Sequence, residues 1–215
     1  MKVFADLEKN LVMHLPADKN ARILDFGCGT GRLLGFLHQK GYTNLHGADI
    51  DTTGWEKLQQ FTKSLTKIED TISYLKTVAG AYDFVIVKDV IYYFDRSTVQ
   101  EITTLLKSAL APGGSIYFEI FNGAILTGPY VQYKDLGIQL ILTEQSLQHL
   151  IERSGLKLVC IKGNTIPVTG PVSLVFVIVN FWQRLWLRLL FFCERSLDDQ
   201  NPKILKRKVI AVASA

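Results

Sequence analysis

The chain is poor in the residues that build cross-links and metal centres. Its 215 residues include only three cysteines, Cys28, Cys160 and Cys193, far apart and without a C-x-x-C pair. A disulfide framework or zinc site is therefore not expected, and a reducing cytoplasm is the natural compartment. The four histidines, His14, His38, His46 and His149, stand at no position that suggests a site, and no metal centre is expected. Charge is also sparse: 20% of residues are charged and the net charge is +4. Basic residues are scattered except for Lys203, Lys206, Arg207 and Lys208, so nothing calls for a nucleic acid partner. The first 15 residues carry Asp6, Glu8 and Lys9 among apolar ones, which reads as an amphipathic helix rather than a signal peptide.

What the chain has is apolar residues, 48% of the total, in alternating strand and helix patterns. Its length fits one α/β domain over residues 1–215. Phe4, Leu7, Leu11 and Leu15 recur at helical spacing. Residues 21–26 read as a first strand and 32–40 as a first helix, with Gly41 past its end. Residues 44–51 form a second strand ending in acid, and Thr53-x-x-Glu56 offers a capping box for a helix running to about Ser64. A short third strand is expected near Ile68, ending at Asp70. Residues 82–88 are centred on the apolar run Phe84 to Val87, three of its four residues β-branched, the pattern of a strand buried on both faces. A helix from Ser97-x-x-Gln100 to about Leu110 ends at Ala111-Pro112-Gly113-Gly114, before a strand over 115–121. Residues 143–154, 156–162 and 207–214 read as helix, strand and strand. This alternation predicts a doubly wound, mostly parallel sheet with its ligand crevice at the carboxyl ends of the strands.

Between the first strand and helix stands Asp25-Phe26-Gly27-Cys28-Gly29-Thr30-Gly31-Arg32. Glycines at 27, 29 and 31 permit positive φ and remove side chains that would hold a ligand away from the backbone. Taken alone, such a pattern is either a cofactor turn or a structural glycine turn. Arg32 occupies the place where a dinucleotide-binding G-x-G-x-x-G has its third glycine. With Asp25 two residues before the first glycine, the stretch resembles motif I of the class I S-adenosylmethionine-dependent methyltransferases. Three further stretches are similar to that family: Gly47-Ala48-Asp49-Ile50, residues 82–90, and Leu110-Ala111-Pro112-Gly113-Gly114. The resemblance runs from about residue 20 to 214. It implies a seven-stranded sheet whose last strand is antiparallel to the fifth, S-adenosylmethionine as cofactor and S-adenosylhomocysteine as product.

The resemblance also implies roles for residues. The backbone of Gly27, Cys28, Gly29 and Gly31 would take the methionine portion, and Asp25, the acid of the motif, is a further cofactor-binding residue. Asp49, followed by Ile50, suits the two ribose hydroxyls, with Asp51 in reserve. Asp70 suits the adenine amino group, and Lys88 and Asp89 line the same crevice. A hydroxyl acceptor additionally needs a general base.

Residues 122–142, with Gly123, Gly128, Pro129 and Gly137, are irregular enough to read as a substrate loop or lid. Asn122, Leu126-Thr127-Gly128-Pro129, Gln132-Tyr133-Lys134-Asp135 and Thr143-Glu144-Gln145-Ser146-Leu147 resemble methyltransferases of bacterial cell-envelope polysaccharide clusters of the O-antigen type. In this chain Tyr93 and Ile138 replace that family's two histidines. Tyr92, Tyr93, Tyr133 and Asp135 are left as candidate base or substrate-positioning groups.

The segment 172–197 approaches the composition of a membrane helix, for which about 20 apolar residues suffice. Asn180, Arg184 and Arg188 mark a polar stripe beside Trp182 and Trp186, which suits an interfacial helix better than a span. The alternative is a helix packed on the domain or on a partner. The expected function is methyl transfer to a small-molecule or lipid-linked saccharide, in the cytoplasm or at the inner face of the cytoplasmic membrane. Two rivals are a cofactor-binding but silent scaffold or sensor, and a nicotinamide dehydrogenase.

Overall fold

A computed structural model describes residues 4–195 and 201–215. The expectations for residues 1–3 and for 196 and 197 lie outside the described residues. Fourteen α and β elements are present among the described residues: α1 (Ala5–Asn10), β1 (Ile23–Phe26), α2 (Arg32–Gln39), β2 (Leu45–Asp49), β3 (Ser64–Lys67), α3 (Thr71–Thr77), β4 (Tyr82–Lys88), α4 (Val99–Ser108), β5 (Leu110–Phe121), α5 (Gly128–Lys134), α6 (Glu144–Arg153), β6 (Lys157–Gly163), α7 (Pro171–Arg195) and β7 (Lys208–Ser214). The strands form one sheet in the order β3-β2-β1-β4-β5-β7-β6. β7 runs antiparallel to both β5 and β6, and the other pairings are parallel. This is the expected Rossmann-like sheet with its antiparallel last strand, and an apolar helix precedes that strand.

Side chains alternate across the sheet, so the buried runs feed two cores. Leu24, Phe26, Val85, Val87, Phe118 and Ala211 face α3, α4 and α6. Ile23, Phe84, Ile86, Tyr117 and Ile210 face α1 and α2, where Leu7, Leu11, Leu34 and Phe36 meet them. Each fully buried side chain of this size contributes about 1.5–3 kcal/mol. β1 and β4, buried on both faces, therefore fix the centre of the sheet and aim their carboxyl ends at one edge.

The structure corrects four local expectations and adds one helix, α3. No α-helix follows Thr53: Gly54 at φ +83° occupies the cap position, and only a 3-10 turn, Trp55–Lys57, forms. Asp51 Oδ1 instead accepts from Thr53 N at 2.9 Å and Thr53 Oγ1 at 2.7 Å. The third strand lies at Ser64–Lys67, ahead of Ile68, paired with β2 from His46↔Ser64 to Asp49↔Lys67. α3, which no apolar period announced, is capped by Asp70 through Ser73 N at 2.7 Å. α4 begins at Val99, not Ser97, because Asp95 Oδ1 takes Ser97 N and Thr98 N at 2.8 and 2.9 Å. Ala111-Pro112-Gly113-Gly114 lies within β5, where the register shifts between Tyr82↔Leu110 and Phe84↔Ser115.

The stretch 122–142 is tied down at both ends. Gly123 N donates to Leu142 O at 2.9 Å, and the buried Asn122 amide donates to Ile204 O at 2.7 Å and Lys206 O at 3.0 Å. Between these ties it carries α5, with Pro129 in its first turn. Thr143 caps α6 in a reciprocal box with Ser146, and Gly155 at φ +72° follows its end.

Candidate functional site

β1 ends in a turn whose three glycines all have positive φ: +78° at Gly27, +50° at Gly29 and +76° at Gly31. They do different work. A Cβ on Gly27 would lie 2.6 Å from Val90 Cγ2 and 2.7 Å from Val90 Cβ, and one on Gly31 would lie 2.1 Å from Leu58 Cδ1. A Cβ on Gly29 would meet nothing within 4 Å. The three glycines thus differ: Gly27 and Gly31 let side chains of the protein close in, and a side chain at Gly29 would enter open space. Gly29 N donates to Asp49 Oδ2 at 2.6 Å, and Trp55 Nε1 donates to Gly29 O at 2.9 Å. The turn and the end of β2 are held as one unit. The Cys28 side chain is buried against Gly47, and burial, with Asp25 and Asp49 adding, pushes its thiol far up. Cys28 therefore offers the site backbone, not sulfur.

Beside the turn is a cleft of about 220 Å³ lined by Gly27, Asp49, Ile50, Asp89, Tyr93 and Phe94, among others. Asp49 sits at its edge with Oδ1 accepting from Asp51 N at 2.9 Å, and Ile50 is exposed on the rim. Asp70 does not line it: this carboxylate is exposed and engaged as the α3 cap, while Ile68 and Thr71 on either side reach the cleft. Asp25 is 2% exposed, and its Oδ2 has no partner among the described residues. Burial pushes its carboxyl up to about 7, with Lys88 opposing and Asp49 adding.

Asp89 has φ +58°, an uncommon conformation for a residue with a side chain. It belongs to a cluster of four charges that spacing did not reveal. Lys208 Nζ lies 2.6 Å from Asp89 Oδ2 and 2.7 Å from Glu119 Oε1; Lys88 Nζ lies 2.5 Å and 3.4 Å from the same two atoms. Tyr117 Oη donates to Glu119 Oε2 at 2.8 Å. Burial would lower the Lys88 ammonium, but Asp89 and Glu119 hold it above its usual range. Burial would raise the Asp89 carboxyl, but Lys208 and Lys88 hold it down. Lys88 is thus turned to its charge partners and does not line the cleft. Asp89 does, and its Oδ1 is buried without a partner among the described residues. Sequence reading missed Glu119, Lys208 and Tyr117. The available signal was a glutamate inside an otherwise apolar strand.

The four candidate polar groups separate. Tyr92 is buried, packs on Phe121 with ring centroids 5.8 Å apart, and burial with nearby Asp89 pushes its hydroxyl far up. Its carbonyl accepts from Gln139 N and Leu140 N at 2.9 and 3.1 Å, which draws the loop beneath it. Tyr133 on α5 is 76% exposed. Tyr93 and Asp135 meet: Tyr93 Oη donates to Asp135 Oδ2 at 2.9 Å. Burial, then Asp135, pushes the Tyr93 hydroxyl up to about 12. The Gly137 N–H and then Tyr93 hold the Asp135 carboxyl below its usual range. Ile138 is buried in the core.

A larger hollow of about 970 Å³ lies between α1, α2 and Pro167–Thr169. Its only acid among the lining residues, Glu8, is paired to Lys40 at 2.7 Å, so chemistry selects the smaller cleft over size. The residues of that cleft fit the expected cofactor. Gly29 opens the backbone of the adjoining turn, Asp49 offers acceptors for vicinal hydroxyls, and Asp89 Oδ1 in the cleft and Asp25 Oδ2 at the end of β1 are buried acceptors without partners among the described residues, suited to a ligand with a cationic sulfur and amino group.

The methyltransferase-domain family matches residues 2–161. Among solved structures, the chain is similar to an S-adenosylmethionine-dependent methyltransferase from Archaeoglobus fulgidus, at 21% identity over 91% of this chain and 86% of that one, with a TM-score of 0.63. It is similar to a Haloferax volcanii methyltransferase solved with the Trm112 activator, at 14% identity over 100% and 90% of the chains, with a TM-score of 0.67. A third is 1,6-didemethyltoxoflavin-N1-methyltransferase from Burkholderia thailandensis with bound S-adenosylhomocysteine, at 14% identity over 90% and 70%, with a TM-score of 0.58. At these identities the structural likeness is one of fold. No curated protein matches the chain.

Proposed function

Because this chain belongs to the methyltransferase-domain family and is a class I S-adenosylmethionine-dependent enzyme, we propose that it methylates a hydroxyl or amino group of a small-molecule or lipid-linked saccharide in cell-envelope glycan assembly. Bound S-adenosylmethionine supplies a methyl group on positively charged sulfur. The protein's part is to hold donor and acceptor in line and to keep water out. Asp49 would accept from the ribose hydroxyls, Gly29 would bear on the methionine portion, and the walls at Ile50, Ile68 and Phe94 would enclose the base.

The observation that carries the acceptor side is the Tyr93–Asp135 hydrogen bond, because Tyr93 lines the same cleft as Asp49 and Asp89. With its carboxyl held low, Asp135 is ionised at neutral pH and can take the acceptor's proton. Tyr93 stays protonated and positions it. The saccharide rests on the likeness of residues 126–129 and 132–135 to cell-envelope enzymes. An acceptor of that kind would place the protein on the cytoplasmic side, at the inner face of the membrane.

The test is single-turnover release of S-adenosylhomocysteine on a membrane glycolipid extract. Asp135→Asn should slow release about 100-fold, the low end for general-base catalysis, with cofactor affinity unchanged. The rival, a silent scaffold, draws support from Tyr93 and Ile138 standing where related enzymes have histidines. Tight cofactor binding with no turnover on any extract would favour it.

A further inference from the structure

α7 is 25 residues long with mean hydropathy 1.5 over its most apolar window, enough by length and composition to cross a membrane, yet only Leu187 along it is buried. Its polarity is inverted for a helix on a water-facing surface. The less exposed positions, including Val177, Asn180, Arg184, Leu187 and Phe191, recur at three- and four-residue steps and face the domain. Asn180 and Arg184 of the polar stripe are thus turned inward, while Arg188 stays exposed. The opposite face carries Ile178, Phe181, Trp182, Leu185, Trp186 and Leu189, each about half exposed or more, with no charge among them. An apolar patch of this extent marks an interaction site.

We propose that α7 lies in the plane of an anionic lipid bilayer, with this outward face sunk into one leaflet. A span is excluded by the chain's return. Gly163 pairs with Val209, and Lys203 N donates to Glu144 Oε1 at 2.7 Å, so both ends of the insertion come back to the same end of the sheet. The eight Cα steps from Arg195 to Lys203 reach at most about 29 Å, which cannot recross a hydrocarbon core of about 30 Å. Lying flat satisfies both constraints. Tryptophan suits the headgroup boundary, and the helix carries Arg184, Arg188 and Arg195 against the single acid Glu194. Arg184 and Lys162 also crowd Lys206, which burial and these two charges hold below its usual range. Arg188, exposed beside Trp182, Leu185 and Trp186, is the charge that meets anionic headgroups. A second copy of the chain fits less well, because a two-helix seam covers a narrower stripe than this face presents.

The docking bears on the acceptor side of the cleft. Leu187, Leu190 and Phe191 form one wall of a hollow of about 370 Å³, and Gly123, Leu126 and Pro129 form the other. The loop after β5 therefore sits at bilayer level. The inference rests on the helix, so a failed turnover assay leaves it standing.

Vesicle flotation tests it, using phosphatidylcholine with and without phosphatidylglycerol. The wild type should float with the phosphatidylglycerol vesicles. A Trp182→Ser, Trp186→Ser variant should float at least 10-fold less, with thermal unfolding and cofactor affinity unchanged because both side chains are exposed. Arg188→Gln should weaken flotation only where phosphatidylglycerol is present. Wild type that stays at the bottom with both vesicles, whether as monomer or as a dimer through this face, overturns the proposal. So does equal flotation of wild type and the tryptophan variant.

Discussion

Gly27→Ala is expected to lower the free energy of unfolding by about 2–5 kcal/mol, whereas Gly29→Ala two residues on should cost about 1–2 kcal/mol. Both substitutions place an L side chain at positive φ, which costs about 1–2 kcal/mol. Only Gly27 adds a collision, with Val90 Cβ and Cγ2 at 2.7 and 2.6 Å. Val90 Cβ is fixed to its backbone, so no rotamer relieves the contact, and overpacking adds about 1–3 kcal/mol. For a chain of this size each kcal/mol moves the melting temperature by about 2–4 °C, so the two variants separate in a thermal melt. The order should reverse for cofactor affinity relative to stability. Gly29→Ala puts a methyl group into the open space at the turn and should weaken S-adenosylmethionine binding at least 10-fold while the fold stands. Normal binding by Gly29→Ala would remove the turn from the site.

Glu119→Gln should cost about 3–5 kcal/mol of stability, the usual cost of leaving a buried charge without its partner. Glu119 is 7% exposed at the side chain, and Lys208 and Lys88 are 16% and 17% exposed, so water can do little to screen what remains. Two ammonium groups would then share the single carboxylate of Asp89. Lys208→Met alone leaves Glu119 and Asp89 both leaning on Lys88 and should cost a similar amount. The double variant restores one anion to one cation. Its loss should be well below the sum of the singles, a coupling that a double-mutant cycle in denaturant measures directly. Additive losses would mean that the four groups do not act as a cluster. Because Asp89 keeps its αL backbone under these contacts, the single variants should also weaken cofactor binding.

The parts of the fold that were legible in the sequence are those where burial on both faces writes a continuous signal. β1, β4 and the apolar half of β5 are such runs, and the pairing of β7 with β5 came with them through the family likeness. The region between β2 and β4 was not legible. β3, Ser-Leu-Thr-Lys, is a half-buried edge strand with no apolar run, and Gly54 diverts the chain from the helix that Thr53 and Glu56 suggest. An acid at a strand end suits either a ligand or a helix cap, and the cap that Asp70 makes is visible only once the backbone of α3 is placed. The site divides the same way. Asp49 and the glycine turn are close in sequence and could be read there. Glu119 and Lys208 are brought together only because antiparallel pairing sets Phe121 against Lys208 and Glu119 against Ile210. For α7, periodicity revealed a polar stripe but not that Asn180 and Arg184 of it face inward, since orientation depends on where the rest of the domain lies.

Asp49 accepts from the turn at Gly29 N and is the residue proposed to hold the ribose hydroxyls, so its removal is the most direct measurement. Titration calorimetry of S-adenosylmethionine into wild type and Asp49→Ala should show wild-type binding, with NAD giving no heat, and a variant weaker by about 1–3 kcal/mol, the cost of a lost charge-assisted hydrogen-bond pair. Unchanged affinity in Asp49→Ala, or tight NAD binding in its place, would contradict the assignment of this cleft.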